Sequence, residues 1–198
     1  MNHHHAVRGT LGVLWLFWVA LALGGCALSP SSASSTPLSP APRSDPSLSA
    51  PALCQTQHLL LAFVKSGAAM NNDGAQFVLV NQSKQSCTLS GYPAVQLLDA
   101  RHQPIRAQVR QVTQGFLYGR QVPHRFVLQV GSKAYFVVEW ANQGCGKIPP
   151  ASSASPVSFL RVTPPLSQAS LLIAIQFCTF GDYVEISPLE PDKILDVV

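Results

Sequence analysis

Arg125-Phe126-Val127-Leu128-Gln129-Val130, then Gly131-Ser132, then Lys133-Ala134-Tyr135-Phe136-Val137-Val138-Glu139-Trp140 is the stretch that decides the fold class. Two runs rich in β-branched and aromatic residues flank a short Gly-Ser break, which is strand, punctuation, strand. The same grammar recurs in both directions. Runs of this kind lie at 58–65, 75–81, 94–99, 105–112, 156–163, 171–177 and 183–187. Between them fall Asn71-Asn72-Asp73-Gly74, Gly91-Tyr92-Pro93, Gly144-Cys145-Gly146 with Pro149-Pro150, Pro164-Pro165 and Gly181-Asp182. No window of ten residues carries an apolar face at i, i+3, i+4, i+7, so helices are not expected. Many short strands at near-even spacing predict an all-β domain, an antiparallel β-sandwich over residues 53–198. A chain of that size buries about two thirds of its unfolded surface, enough for a true core.

Upstream of this domain the sequence changes character twice. Arg8 and the apolar run Leu11–Leu23 (LGVLWLFWVALAL) are followed by Gly24-Gly25-Cys26. A short positive region, a 7–15-residue apolar core and small residues at its end are the features of an export signal. The run is too short to span a bilayer, which takes about 20 residues. Residues 27–52 then hold nine Ser and six Pro, with only Arg43 and Asp45 charged. Such a segment has almost nothing to bury and is expected to be a disordered tether. Its prolines favour extension at about 3.1 Å per residue, a reach of up to about 80 Å.

Leu23-Gly24-Gly25-Cys26 resembles the lipobox of bacterial lipoproteins. That resemblance implies cleavage between Gly25 and Cys26 and lipid on the Cys26 thiol, with residues 1–25 removed. Each buried CH₂ contributes about 0.8 kcal/mol, so two or three acyl chains anchor stably. The expected location is the cell membrane, lipid-anchored on its extracytoplasmic face. His3-His4-His5 lies in the discarded segment and is assigned no metal.

With Cys26 given to lipid, Cys54, Cys87, Cys145 and Cys178 remain. An even set in an oxidising compartment reads as two disulfides, for which three pairings exist. Cys54 precedes the first strand and Cys87 follows the second, so a hairpin favours Cys54–Cys87, leaving Cys145–Cys178. A zinc site is disfavoured, since no Cys-x₂-Cys spacing occurs.

The segment Val80-Asn81-Gln82-Ser83-Lys84-Gln85-Ser86-Cys87-Thr88-Leu89-Ser90-Gly91-Tyr92-Pro93-Ala94-Val95 resembles the signature of a family of bacterial lipoproteins and secreted proteins known as domain of unknown function 4232. Leu97-Leu98-Asp99, the run Ala134…Trp140…Cys145, and Cys178 before Ser187-Pro188-Leu189 also fit its pattern. The resemblance spans roughly 54–190. It implies an immunoglobulin-like β-sandwich and supplies no activity.

Composition narrows function further. Apolar residues make up 47% of the chain and charged residues only 11%, which excludes a disordered protein. The formal charge of +4, or +3 without Arg8, comes from basic residues with no Lys/Arg run, so a nucleic-acid partner is not expected. His58, His102 and His124 lie outside any metal-binding spacing, and no nucleophile elbow, phosphate loop or dinucleotide fingerprint occurs. Asp182 and Glu185 are oddly spaced and would face opposite sides of a strand. No cofactor, metal or catalytic residue is assigned. Tyr92 and Trp140 each have two readings, as structural aromatics or as ligand contacts. The leading expectation is a cell-envelope lipoprotein that displays a non-catalytic binding module for a protein or cell-wall polymer. The alternatives are a secreted hydrolase or small-ligand carrier, for which His102 or His124 would lie near an acid, and a structural envelope protein.

Overall fold

Side-chain alternation along one strand organises the molecule. The computed structural model describes residues 50–141, 155–179, 183–192 and 194–195. In it, β7 (Lys133–Ala141) is buried at seven consecutive positions, 134–140. Period two sends Ala134, Phe136, Val138 and Trp140 into the main core, and Tyr135 and Val137 into a smaller cluster on the opposite face. A strand buried on both faces needs neighbours on both edges, and β7 has them. It lies third in a five-stranded sheet of order β1 (Leu59–Ala69), β2 (Asn72–Asn81), β7, β10 (Tyr183–Ile186), β5 (Gln108–Gln111). All pairings in this sheet are antiparallel except β10 with β5.

A three-stranded antiparallel sheet, β4 (Ala94–Leu98), β8 (Ser155–Thr163) and β9 (Leu171–Thr179), supplies Leu97, Leu160, Val162 and Phe177 to the main core. The pair β3 (Cys87–Ser90) and β6 (Arg125–Leu128) adds Leu89 and Leu128. Three sheets therefore share one apolar interior, with Phe77 stacked on Phe136 (centroids 5.4 Å apart) and Trp140 on Phe177 (4.0 Å). The outer face of β7 is covered by Leu117 and Tyr118, from the loop after β5, and by Ile194 and Leu195. No α-helix occurs among the described residues, and no helix there is long and apolar enough to cross a membrane.

All nine expected strands form, with three differences. β3 was not anticipated. β5 is only four residues long, against the expected 105–112. The first hairpin turns at Met70-Asn71, both at positive φ (51° and 63°), with Ala69 paired to Asn72. That two-residue, left-handed turn matches the twist of its strands, so Asn72-Asp73-Gly74 opens β2 instead of breaking the chain.

The expected first disulfide is present: Cys54–Cys87 joins the segment before β1 to the start of β3. Cys178 is also disulfide-bonded. Cys145, Asp182, the apolar run, Cys26 and the tether up to residue 49 lie outside the described residues.

Candidate functional site

Asn81, at the end of β2, is buried and fully committed. Its amide nitrogen donates to the carbonyls of Gln85 (2.9 Å) and Leu128 (3.0 Å), and its oxygen accepts the Ser83 backbone N–H (3.0 Å). The Ser83 hydroxyl donates to Gln85 O at 2.6 Å. Asn-x-Ser is thus a loop lock: the asparagine substitutes for backbone partners that the 82–86 loop cannot supply. Thr88 N–H donates to Ala52 O, and Cys54 N–H to Thr88 O, beside the disulfide. The loop and the 52–58 segment are thereby stitched face to face. The remaining signature residues are tied in the same way. Gly91 takes φ 78°, as a sharp turn requires, and its carbonyl accepts the Leu189 N–H (2.8 Å). The Ser187 hydroxyl accepts from Val137 N–H and donates to Pro188 O, both at 2.9 Å. Sequence-distant pieces of the pattern, 91 and 187–189, meet at one end of the domain.

Between the two stitched walls lies an open cleft of about 470 Å³, lined by Leu53, Gln55, His58, Asn81–Cys87 and Ala52. Its accessible surface is mixed and somewhat more apolar than polar, with Ala52 and Leu53 exposed beside Gln55, His58, Gln82, Lys84 and Gln85. A rigid, covalently braced wall limits what a bound ligand must order, which favours affinity.

A second polar site lies on the five-stranded sheet. Glu139 is 2% exposed, yet it is satisfied: its two oxygens accept the backbone N–H groups of Phe116 (3.0 Å) and Leu117 (2.8 Å). Burial pushes its carboxyl above the usual range, the two N–H donors pull it down, and Glu185 adds repulsion. Glu185 stands directly opposite Glu139 in the β10–β7 register. Gly115 closes the arrangement, since a Cβ there would meet the Tyr118 ring and come within 2.6 Å of both carboxylate oxygens. The Tyr118 hydroxyl is buried without a partner, and burial together with the two glutamates raises its pKa. The small cleft above, about 50 Å³, is rimmed by Asn72, Phe116, Trp140 and Tyr183.

The residues singled out in sequence are dispersed. Trp140 is buried against Phe177 and presents only an edge to that small cleft, so packing is its main use. Tyr92 is half-buried against the main core, with its hydroxyl pKa raised by burial. His58 borders the braced cleft. His102, at φ 62°, packs at a tilt against the Phe159 ring (centroids 4.3 Å apart). His124 packs at a tilt against Phe126 and places Nδ1 3.7 Å from Glu190 Oε2. Burial raises the Glu190 carboxyl, which His124 partly offsets, and its other oxygen is buried without a partner. Among the described residues no three His, Cys, Asp or Glu converge on a common point.

One feature escapes any motif. Between Asp99 and Glu139 the chain has no acid but carries Arg101, Arg106, Arg110, Arg120, Arg125 and Lys133. A count of acids along the sequence would have found it.

The fold and these clefts define a class: an all-β domain, stapled by disulfide, whose loops build open surface clefts. Within that class the chain belongs to the family described as domain of unknown function (DUF4232), whose model matches residues 54–188. Comparison with curated proteins and with solved structures finds no match.

Proposed function

We propose that this protein is a cell-envelope lipoprotein that displays a non-catalytic, immunoglobulin-like β-sandwich as a binding module. In this reading the chain is exported, cut between Gly25 and Cys26, and anchored through lipid on Cys26, with the Ser/Pro segment as its spacer. Three sheets around one core support the sandwich. Cys54 and Cys87 are paired and Cys178 is disulfide-bonded, which supports Cys145 as the partner of Cys178 and an oxidising location. The observation that carries the binding role is the cleft between residues 52–58 and 81–87. Two loop walls are locked by a disulfide, main-chain bonds and a buried asparagine, yet the cleft surface they hold is solvent-facing and mixed, apolar with amide, hydroxyl and cationic groups among it. Stiffness of that order around an open cleft is suited to presenting a preformed surface to a protein or a wall polymer.

Three measurements test this. Intact mass of the membrane-extracted protein should equal residues 26–198 plus acyl groups, less the hydrogens of two disulfides. Cys26→Ser should leave the membrane fraction. Pull-down from envelope extract with the full chain should recover a partner that a His58→Ala/Lys84→Glu variant loses. Retention of Cys26→Ser in the membrane, or identical recovery by the cleft variant, would overturn the corresponding half of the reading.

A further inference from the structure

The basic residues that look scattered in sequence are not scattered in the fold. Along 104–111 burial alternates: Ile105, Ala107 and Val109 pack against the main core, while Arg106, Gln108 and Arg110 are solvent-exposed. Ala107 N–H donates to Ile105 O at 3.0 Å, a tight turn centred on Arg106, and β5 follows, where alternate residues Gln108 and Arg110 share a face about 6.6 Å apart. The loop that follows returns on itself, with Gln121 N–H donating to Thr113 O at 2.6 Å. That closure brings exposed Arg120 back toward the end of β5. The Arg110 guanidinium lies 3.7 Å from the centroid of the Tyr183 ring, on the neighbouring strand β10. Beside it, Phe116 (59% exposed) and Tyr183 (41% exposed) rim the same small cleft, which Glu139 and Glu185 also line, Glu185 standing opposite Arg110 in the strand register. Among the described residues, none of these arginines is within ion-pair distance of a carboxylate.

We propose that this face, Arg106, Gln108, Arg110 and Arg120 beside Tyr183 and Phe116, binds an anionic glycan, a sugar chain bearing carboxylate or phosphate groups. Guanidinium forks match carboxylate and phosphate oxygens in bidentate geometry. The exposed aromatic rings offer flat apolar surfaces to sugar C–H faces, and Gln108 offers both a donor and acceptor to hydroxyls. Gln108 and Arg110 lie on the edge strand β5, with Arg106 in the turn just before it and Arg120 returned beside its end, an open strip along which a linear polyanion can lie. A lipid surface fits less well, because the Ser/Pro composition of residues 27–52 favours extension away from head groups. Arginines on an edge strand also discourage strand pairing, a role that predicts self-association and no ligand effect when they are lost. This face uses none of the residues of the 52–58/81–87 cleft, so the two sites fail or stand separately.

The test uses the full chain purified in detergent, with polygalacturonate (carboxylate), dextran phosphate and neutral dextran as probes, and phosphatidylglycerol vesicles as the lipid arm. Binding is measured by calorimetry at 50 and 200 mM salt. The protein should bind one or both anionic glycans, not neutral dextran, and lose affinity on raising salt. Arg106→Glu/Arg110→Glu should weaken binding at least tenfold, and Arg106→Gln/Arg110→Gln, which avoids charge reversal, about three- to tenfold with the protein still monomeric. Arg106→Lys/Arg110→Lys should retain part of it. Equal binding by all variants, no binding to either anionic glycan at 50 mM salt, binding to vesicles only, or variants whose sole change is self-association would each overturn the proposal.

Discussion

The 81–95 region and the 104–124 region are built on opposite plans. In the first, nearly every conspicuous side chain is used up internally. Asn81 makes three hydrogen bonds, Cys87 is in a disulfide, and the Gly91 carbonyl ties the region to Leu189. In the second, arginines and Phe116 face solvent, and the loop is held to the sheet by the buried side chains of Leu117 and Tyr118 and by Glu139 through two backbone N–H groups. The contrast separates two questions that a motif conflates. The residues that identify the family build the frame, whereas the chemistry available to a ligand lies on the cleft rim and on an acid-free stretch with no motif.

The contrast can be broken most forcefully at the disulfide. Cys54→Ala/Cys87→Ala removes a bridge of separation 33, which the chain-entropy model values at about 3–4 kcal/mol; urea melts should show that loss. Asn81→Ala should cost about 2–3 kcal/mol, because two carbonyls and an N–H lose buried partners. Asn81→Asp should be worse still, since a carboxylate would face the carbonyls of Gln85 and Leu128. In the second region, Gly115→Ala should cost about 1–3 kcal/mol through displacement of the 113–121 loop, with faster amide exchange confined to that loop.

The smallest effect is a pH dependence. Glu139 is held above its unfolded value, so its contribution is complete below the ordinary carboxylate range and is lost as pH rises through its folded pKa. Glu139→Gln removes that titration. The stability of the wild type relative to this variant should therefore fall as pH is raised from about 4 toward neutrality, read from denaturant midpoints at each pH. A gap that widened instead would mean that the N–H donors outweigh burial.

Much of this architecture was legible in sequence, and the failures have physical causes. The nine strands announced themselves because β-branched and aromatic runs fit a pleated, half-buried surface. β3 did not, since Cys87–Ser90 is only four residues long and carries no β-branched or aromatic run; its position comes from the disulfide and from Asn81. The turn at Met70-Asn71 was missed because the neighbouring Asn-Asp-Gly looked the better turn former. Trp140 could be called core or platform until Phe177, 37 residues later, supplied its stacking partner. Glu139 drew no attention because its neighbouring acid, Glu185, is close only through cross-strand register. The arginine strip was hidden by spacing: residues 106, 110 and 120 form no run, and only the turn before β5 and loop closure assemble them.

Native-state hydrogen exchange followed by mass spectrometry probes the difference between the two regions most directly. The backbone amides of Ser83, Thr88 and Leu189, each bonded in the frame, should exchange only through global unfolding. Those of Phe116 and Leu117, hung on Glu139, should exchange through a cheaper local opening, with protection insensitive to mild denaturant. Equal, global-limit protection in both regions, or earlier opening at 83–88, would contradict the division into a locked frame and a yielding, ligand-facing edge.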